Sequence, residues 1–274
     1  MAISMADIQH LRKMTGAGMM DCKNALTEAE GDFDKAIEII RKKGQAFAAK
    51  REDRDATEGC VLAATNGDFA AIVAVNCETD FVAMNGDFVG MTKSILDAAL
   101  SNKPADIDTL KGIKVGDRTI AELVTDRMGV TGEKMELNVY KQITAPTVVA
   151  YVHPGNKLAA VVGFNKPNVD EQVAKDIAMQ IAAMSPVALV PEEVSEEIKE
   201  REVKIAREKA VEAGKPENLI DRIAEGALQK FYKEFTLLQQ EFVKNPKQTI
   251  AQYLAQHDKE LAVTGFQRFT LNAE

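Results

Sequence analysis

The sequence predicts a mixed α+β fold in which a small helical unit precedes a duplicated core of helices and strands. Three observations support this prediction. The first 45 residues show helical periodicity, β-branched runs with period-two alternation begin near residue 57, and the order of elements from there recurs after residue 147. A helical hairpin inserted in the second repeat completes the predicted architecture.

Composition limits the class of protein. The chain has 274 residues, enough for two or three domains, and 46% of them are hydrophobic, so a substantial core is expected. Only 5% are aromatic and Trp is absent, which suits helices packed on a small sheet. The formal net charge of −8 argues against a broad surface for nucleic acid and is compatible with a protein partner.

The cysteines and the first residues point to the cytoplasm. Cys22, Cys60 and Cys77 are odd in number and lack CxxC spacing, so a reducing compartment fits better than a disulfide framework or a zinc site. Residues 1–7 lack the basic start and apolar run of a signal peptide. No apolar stretch is long enough to span a bilayer, so we expect no membrane association.

Residues 1–55 are predicted to form three short helices and a linker. The second helix is expected over 21–29. Asp32 is the predicted N-cap of the third helix, and Gly44 is its predicted C-terminal stop. The segment 46–55 is rich in alanine and charge and is predicted to be a helical linker.

Residues 56–144 are predicted to form the first half of the core. Strands at 59–64 and 69–75 flank Asn66-Gly67, a pair that strongly favours a two-residue hairpin turn. The remaining predicted elements of this half are helices at 88–100 and 119–128 and a strand at 134–143.

Residues 145–274 are predicted to repeat this order, and we expect the two halves to pack side by side. The predicted elements are strands at 147–152 and 158–164, a helix at 170–184, a helical segment at 249–254 that echoes 119–124, and a terminal strand at 261–269. An insertion at about 191–243 is predicted to be an antiparallel helical hairpin, because Gly214-Lys215-Pro216 separates two amphipathic stretches. Its first arm is heavily charged and is expected to project from the body.

The most informative string follows the strand at 69–75. There Thr79 and Asp80 lead into Phe81 and Val82, so a large aromatic side chain stands beside a carboxylate where the strand ends. The residues alone leave two interpretations open. Phe81 caps the core while Asp80 starts the next turn, or both are presented to a partner.

No motif for covalent chemistry is present. The sequence has no nucleophile elbow, zinc-protease motif or phosphate loop, and its three histidines have no ligand spacing. We therefore expect no enzyme activity, no metal site and no cofactor. Met19 and Met20, next to glycines, either fill a small core or form an adaptable contact surface. His153 belongs either to a plain hairpin turn or to a contact site.

Two strings resemble those of the elongation factor Ts family. They are VNCETDFV at 75–82 and LRKMTGAGMMDCK at 11–23, and the resemblance extends to GFQRF at 265–269. It implies a ubiquitin-associated-like three-helix domain at the N-terminus and a coiled-coil protrusion at the inserted hairpin. Family members often continue into a further C-terminal helix, and we expect that helix to be missing or reduced here.

The resemblance also implies a function. It implies a guanine nucleotide exchange factor that binds elongation factor Tu carrying GDP. Phe81 would insert between two helices of the partner's GTPase domain, while Asp80, flanked by Thr79 and Val82, would help to displace magnesium.

Further contacts are implied at Arg12, Met19, Met20 and His153, although Pro154 and Asn156 depart from the commoner form of the His153 turn. The alternative is an adaptor that recruits its partner through the N-terminal helices without any exchange activity. Whether two copies form a homodimer within a larger complex stays open.

Overall fold

The computed structural model describes residues 3–272 and begins with three helices. They are α1 (Met5–Thr15), α2 (Met19–Glu28) and α3 (Phe33–Ala49). The predicted units 1–55 and 145–274 each include two terminal residues, 1 and 2 or 273 and 274, that lie outside the described residues.

Local sequence sets the ends of these helices. Ser4 and Asp7 form a reciprocal cap at the start of α1, and Gly16 ends α1 in the left-handed conformation at φ 70°. Asp32 accepts a hydrogen bond of 3.1 Å from the Lys35 N–H, which confirms the predicted N-cap of α3. The shared apolar core consists of Ile8, Leu11, Ala17, Cys22, Ala25, Leu26, Ala29 and Ala36.

The first half of the core is built on a three-stranded antiparallel sheet. Its strands are β1 (Glu58–Asn66), β2 (Phe69–Cys77) and β5 (Met135–Thr144), in the order β1-β2-β5. Between β2 and β5 lie α4 (Asp80–Ala83), α5 (Gly86–Asn102), α6 (Ile107–Gly112), β3 (Lys114–Val115), β4 (Arg118–Thr119) and α7 (Ile120–Thr131).

The second half repeats this topology. Its sheet contains β6 (Thr147–Val152), β7 (Leu158–Phe164) and β10 (Val263–Thr270), so the hairpin comes first and the last strand again pairs with the second strand. The intervening elements are α8 (Glu171–Met184), α9 (Glu196–Glu212), α10 (Glu217–Phe235), β8 (Glu241–Phe242), β9 (Asn245–Thr249) and α11 (Ile250–His257). The repeated order was visible in the sequence.

The two sheets pack face to face rather than edge to edge. Ala70, Ile72 and Ala74 of β2 share one apolar cluster with β6 and β7, while the alternate residues of β2 pack against α5 and α7. The other face of the second sheet packs on α8 and α11. All nine residues of β2 are therefore buried, and this strand is a rigid support for the segment that begins at Glu78.

The predicted helix stop at Gly44 is wrong. The helix α3 continues to Ala49, so the predicted helical linker at 46–55 is helical over residues 46–49, whereas residues 50–53 form turns. The physical reason is a close helix crossing, since a Cβ atom built on Gly129 of α7 would lie 2.9 Å from the Gly44 Cα. Gly44 serves packing here, and no turn requires it.

The inserted segment folds as two long helices. In α9 and α10, which are fully described, only Ala210 and Ala224 are buried. The helices contact each other, and an ion pair of 2.9 Å joins Arg207 to Asp221. Gly214, at φ 65°, lies in the connection between them, so the break predicted there is confirmed.

Candidate functional site

The predicted contact string forms a short helix directly after β2. Thr79 is the N-cap of α4, and its hydroxyl accepts a hydrogen bond from the Val82 N–H at 3.4 Å. Asp80 is the first helical residue and is exposed. The string therefore begins a helical turn at the end of a buried strand. Its orientation is constrained by the strand that precedes it and by the cap of the helix that it starts.

Phe81 points away from the core. Its exposed fraction is 83%, and that of Met84, three residues later, is 70%, so the two side chains share one face of α4. Ala83 is buried, and Val82 packs partly against the core of the first half. The interpretation that Phe81 caps the core is therefore wrong. Val82 anchors the helix, and Met84 is an exposed apolar residue that the sequence pattern did not single out.

A carboxylate from another part of the chain holds the start of α4. Glu133, just before β5, accepts hydrogen bonds from the Glu78 N–H at 3.2 Å, the Thr79 N–H at 3.0 Å and the Thr79 hydroxyl at 2.6 Å. A carboxylate has enough lone pairs to accept all three. The backbone that leads into α4 is fixed by these bonds.

Glu78 forms the reciprocal half of this connection. Its carboxylate accepts a hydrogen bond of 2.7 Å from the Lys134 N–H and pairs with Arg51 at 3.0 Å and Arg54 at 2.9 Å. Burial acts to raise the pKa of Glu78, but the Lys134 N–H and the two guanidinium groups outweigh burial and lower it. Glu78 therefore stays ionised and ties the segment after α3 to the base of α4.

The His153 turn lies at the same end of the molecule as α4. Asn156 accepts a hydrogen bond of 2.7 Å from the Val61 N–H of β1, and Lys157 pairs with Glu58 at 2.8 Å. Glu58 raises the pKa of Lys157, and the charge of Asp80 adds a smaller contribution in the same direction. The structure thus brings this turn within electrostatic range of Asp80.

His153 itself is exposed, and its Nδ1 atom lies 2.9 Å from the Tyr151 hydroxyl. A hairpin turn and an exposed contact residue are compatible in this geometry, because the turn is made by the backbone while the imidazole faces outward.

The N-terminal candidates separate into a buried and an exposed part. Met19 packs partly against the small core of the three helices, whereas Met20 has an exposed fraction of 64%. Arg12 is exposed in the last turn of α1. Met19 therefore fits the interpretation that the methionines fill a small core, and Met20 fits the interpretation that they form a contact surface.

The titratable groups of cysteine and histidine are spread over the fold. All three cysteines are buried free thiols, and burial, with smaller contributions from Glu133 and Glu58, raises the pKa of Cys77 to about 12. In residues 3–272 no group of three or more potential metal ligands comes together. Over the same residues, no helix combines the length and apolar character that crossing a membrane requires.

Known proteins are similar to this chain over its whole length. A family model described as Elongation factor TS matches residues 78–273. Elongation factor Ts of Porphyromonas gingivalis strain ATCC 33277 is 62% identical over 275 residues, with 100% of both chains covered. The proteins of the same name from Azobacteroides pseudotrichonymphae and Bacteroides thetaiotaomicron are 57% and 48% identical, also with 100% of both chains covered.

Proposed function

This chain belongs to the elongation factor Ts family, and from that premise we propose that it is a guanine nucleotide exchange factor for elongation factor Tu. In this proposal it binds the partner's GDP complex, accelerates release of GDP and leaves when GTP binds. The observation that carries the proposal is Phe81, an exposed aromatic side chain on a helix that is fixed to a fully buried strand.

The proposed contact is a wedge formed by α4. Burying an exposed phenylalanine stabilises a complex by about 2–3 kcal/mol, so Phe81 can offset part of the cost of separating two packed helices in a GTPase domain. Met84, on the same face, adds apolar area to the wedge. Thr79 orients α4 by capping its N-terminus, and Val82 orients it by packing against the core of the first half.

The proposed role of Asp80 is electrostatic. Its exposed carboxylate accompanies Phe81 at the tip and competes with the ligands that hold magnesium beside GDP. Because magnesium and the phosphate loop supply much of the binding of the nucleotide, weakening the metal site favours release. The factor makes and breaks no covalent bond and needs no cofactor of its own.

Thermodynamic linkage supplies the overall mechanism. Suppose that this protein binds nucleotide-free elongation factor Tu more tightly than it binds the GDP complex. The affinity of elongation factor Tu for GDP must then fall by the same ratio when this protein is bound. The wedge is therefore complementary to the opened GTPase domain. Arg12, Met20 and His153 are proposed further contacts, whereas Met19 supports the loop that carries Met20.

We propose a matching domain organisation. Residues 1–55 form a ubiquitin-associated-like unit with its linker, 56–144 and 145–274 form the duplicated halves, and the hairpin at about 191–243 is an accessory element. The proposed location is the cytoplasm, and the proposed partner is elongation factor Tu, with no nucleic acid and no membrane.

Release of fluorescent GDP from elongation factor Tu, followed by stopped flow with increasing amounts of this protein, tests the function. We expect the rate constant to rise and then saturate. Complex formation, measured in the same samples by light scattering, separates the alternatives. Binding without faster release would contradict exchange and support the adaptor hypothesis.

A further inference from the structure

We propose that Glu133 is a positioning residue for nucleotide exchange, acting through Thr79 to hold α4 at the angle at which Phe81 can enter the partner. The proposal rests on the exchange function proposed above. Glu133 lies outside the contact string, 54 residues from Thr79 in sequence, and makes its contacts from the residue pair that precedes β5.

The bonds form a continuous chain from Glu133 into α4. The Thr79 hydroxyl donates to Glu133 at 2.6 Å and accepts from the Val82 N–H at 3.4 Å. The backbone N–H of Thr79 donates to the second oxygen of the Glu133 carboxylate at 3.0 Å. Both the backbone and the side chain of the N-cap are thus fixed, and the exposed face of α4 is set by them.

A carboxylate satisfies more donors at this position than an amide can. The three donors are the Glu78 N–H, the Thr79 N–H and the Thr79 hydroxyl, and they occupy both oxygens of Glu133. Glutamine has the same shape but offers one oxygen. If that oxygen accepts from the two N–H groups, the NH₂ group faces the Thr79 hydroxyl, which can accept from it but loses the acceptor for its own proton. Glu133→Gln therefore leaves at least one donor unpaired and loosens the base of α4 without creating a cavity.

The same cluster reaches the N-terminal helices. Glu78, whose N–H is held by Glu133, pairs through its own carboxylate with Arg51 and Arg54. Lys134 adds a bond of 2.6 Å from its ammonium group to the Glu52 carbonyl. Since residues 51–54 follow the C-cap of α3 at Lys50, the segment that leaves the N-terminal unit and the base of α4 are held by one cluster of charges.

The experiment compares Glu133→Gln with Glu136→Gln, a control that removes an exposed carboxylate two residues into β5. Release of fluorescent GDP is measured against factor concentration. For Glu133→Gln we expect the maximal rate constant to fall about 10-fold while the half-saturating concentration changes less than about 2-fold, because the other contacts are intact. The control should behave as the wild type.

Hydrogen exchange in the free protein provides a second readout. By mass spectrometry, amides of residues 78–84 should exchange about 10-fold faster in Glu133→Gln, with no change in β2. If the amides of residues 78–84 exchange hydrogen as in the wild type and the variant also releases GDP at the wild-type rate, the proposal is overturned. If the wild-type protein itself fails to accelerate GDP release, the exchange function is wrong, and the amide measurement still decides whether Glu133 holds α4.

A second pair of variants keeps the test valid if Glu133→Gln folds poorly. Thr79→Val removes the hydroxyl, and Thr79→Ser retains it. We expect Thr79→Val to slow release about 10-fold and Thr79→Ser to stay within about 2-fold of the wild type. Where Glu133→Gln folds, adding Thr79→Val to it should slow release by less than a further factor of about 2, and fully additive losses would overturn the proposal.

Discussion

The two halves of the core contain topologically equivalent connections that differ in what they expose. In the first half, residues 78–85 lead from β2 to α5, and in the second half, residues 165–170 lead from β7 to α8. The first connection carries Phe81 and Met84 on a helical turn. The second exposes no large hydrophobic side chain and turns Val169 toward the core.

Both connections use the same structural device. The side chain at the end of the second strand accepts a hydrogen bond from the backbone just before the last strand. Glu78 accepts from the Lys134 N–H at 2.7 Å, and Asn165 accepts from the Ala262 N–H at 2.8 Å. The acceptor is charged in one half and neutral in the other, and only the charged one also pairs with two arginines.

The second connection is closed by ion pairs of its own. Lys166 binds Asp258 at 2.7 Å and Glu260 at 2.9 Å across the loop. The same arrangement of strands and helix is therefore joined in one half by a loop that ion pairs hold in place. In the other half it is joined by a short helical turn that exposes Phe81 and Met84. In the proposed function, activity therefore depends on the residues of the first connection rather than on the fold that both halves share.

The largest expected effect is at the tip of the first connection. Phe81→Ala should slow GDP release from elongation factor Tu about 30- to 150-fold, because a central interface aromatic typically contributes about 2–3 kcal/mol. Stopped-flow fluorescence measures the rate, and circular dichroism should be unchanged, since Phe81 is exposed. Pro167→Ala, an exposed position of the second connection, is the control. Equal rates for both variants would remove the functional difference between the connections.

The next effect concerns the charged acceptor. Glu78→Gln should destabilise the protein by about 2 kcal/mol at pH 7, because it weakens hydrogen bonds to a largely buried carboxylate. Thermal unfolding measures this difference. Asn165→Ala, which removes the equivalent neutral acceptor, should cost about 1 kcal/mol.

The two acceptors should also differ in pH dependence. The pKa of Glu78 is lowered by folding, so its stabilisation is complete above the ordinary glutamate value of 4.5 and is lost as the pH falls through the lower folded value. The gap between wild type and Glu78→Gln should close on acidification. The effect of Asn165→Ala should not depend on pH in this way, and equal slopes for the two would contradict the comparison.

A smaller effect is expected at Met84, the exposed apolar side chain at the C-cap of α4. Met84→Ala should slow GDP release about 3- to 10-fold, because it removes flexible apolar area beside Phe81. The matched control is Met184→Ala, at the partly exposed end of α8 in the second half. If both methionine variants exchange GDP at the wild-type rate, the wedge is Phe81 alone.

The smallest effect is expected in the closed loop. Lys166→Ala should lower the unfolding free energy only slightly, since its ion pairs are exposed to solvent. GDP release should stay at the wild-type rate. A loss of exchange comparable to that of Met84→Ala would show that the second connection also contacts the partner.

Much of the architecture could be predicted because its signals are local. The hairpin signal at Asn66-Gly67, the apolar run of β2 and the break at Gly214 each depend on neighbouring residues. The structure has a hairpin, a strand and a break at those places, although the turn of the hairpin is Gly67-Asp68, because Asn66 still pairs with Phe69. Short elements such as α4, α6 and the two-residue strand β3 were missed. They are too short to show a periodicity.

The sequence by itself determined the mixed α+β class, the repeated order of elements, the family and the string from Thr79 to Val82, since motif, turn chemistry and hydrophobic period are properties of adjacent residues. The tertiary structure decided the rest. It alone showed that Phe81 and Met84 are exposed, that Gly44 faces Gly129, and that Glu133 holds Thr79. Such contacts join residues far apart in the chain, and only the packing of sheets and helices brings them together.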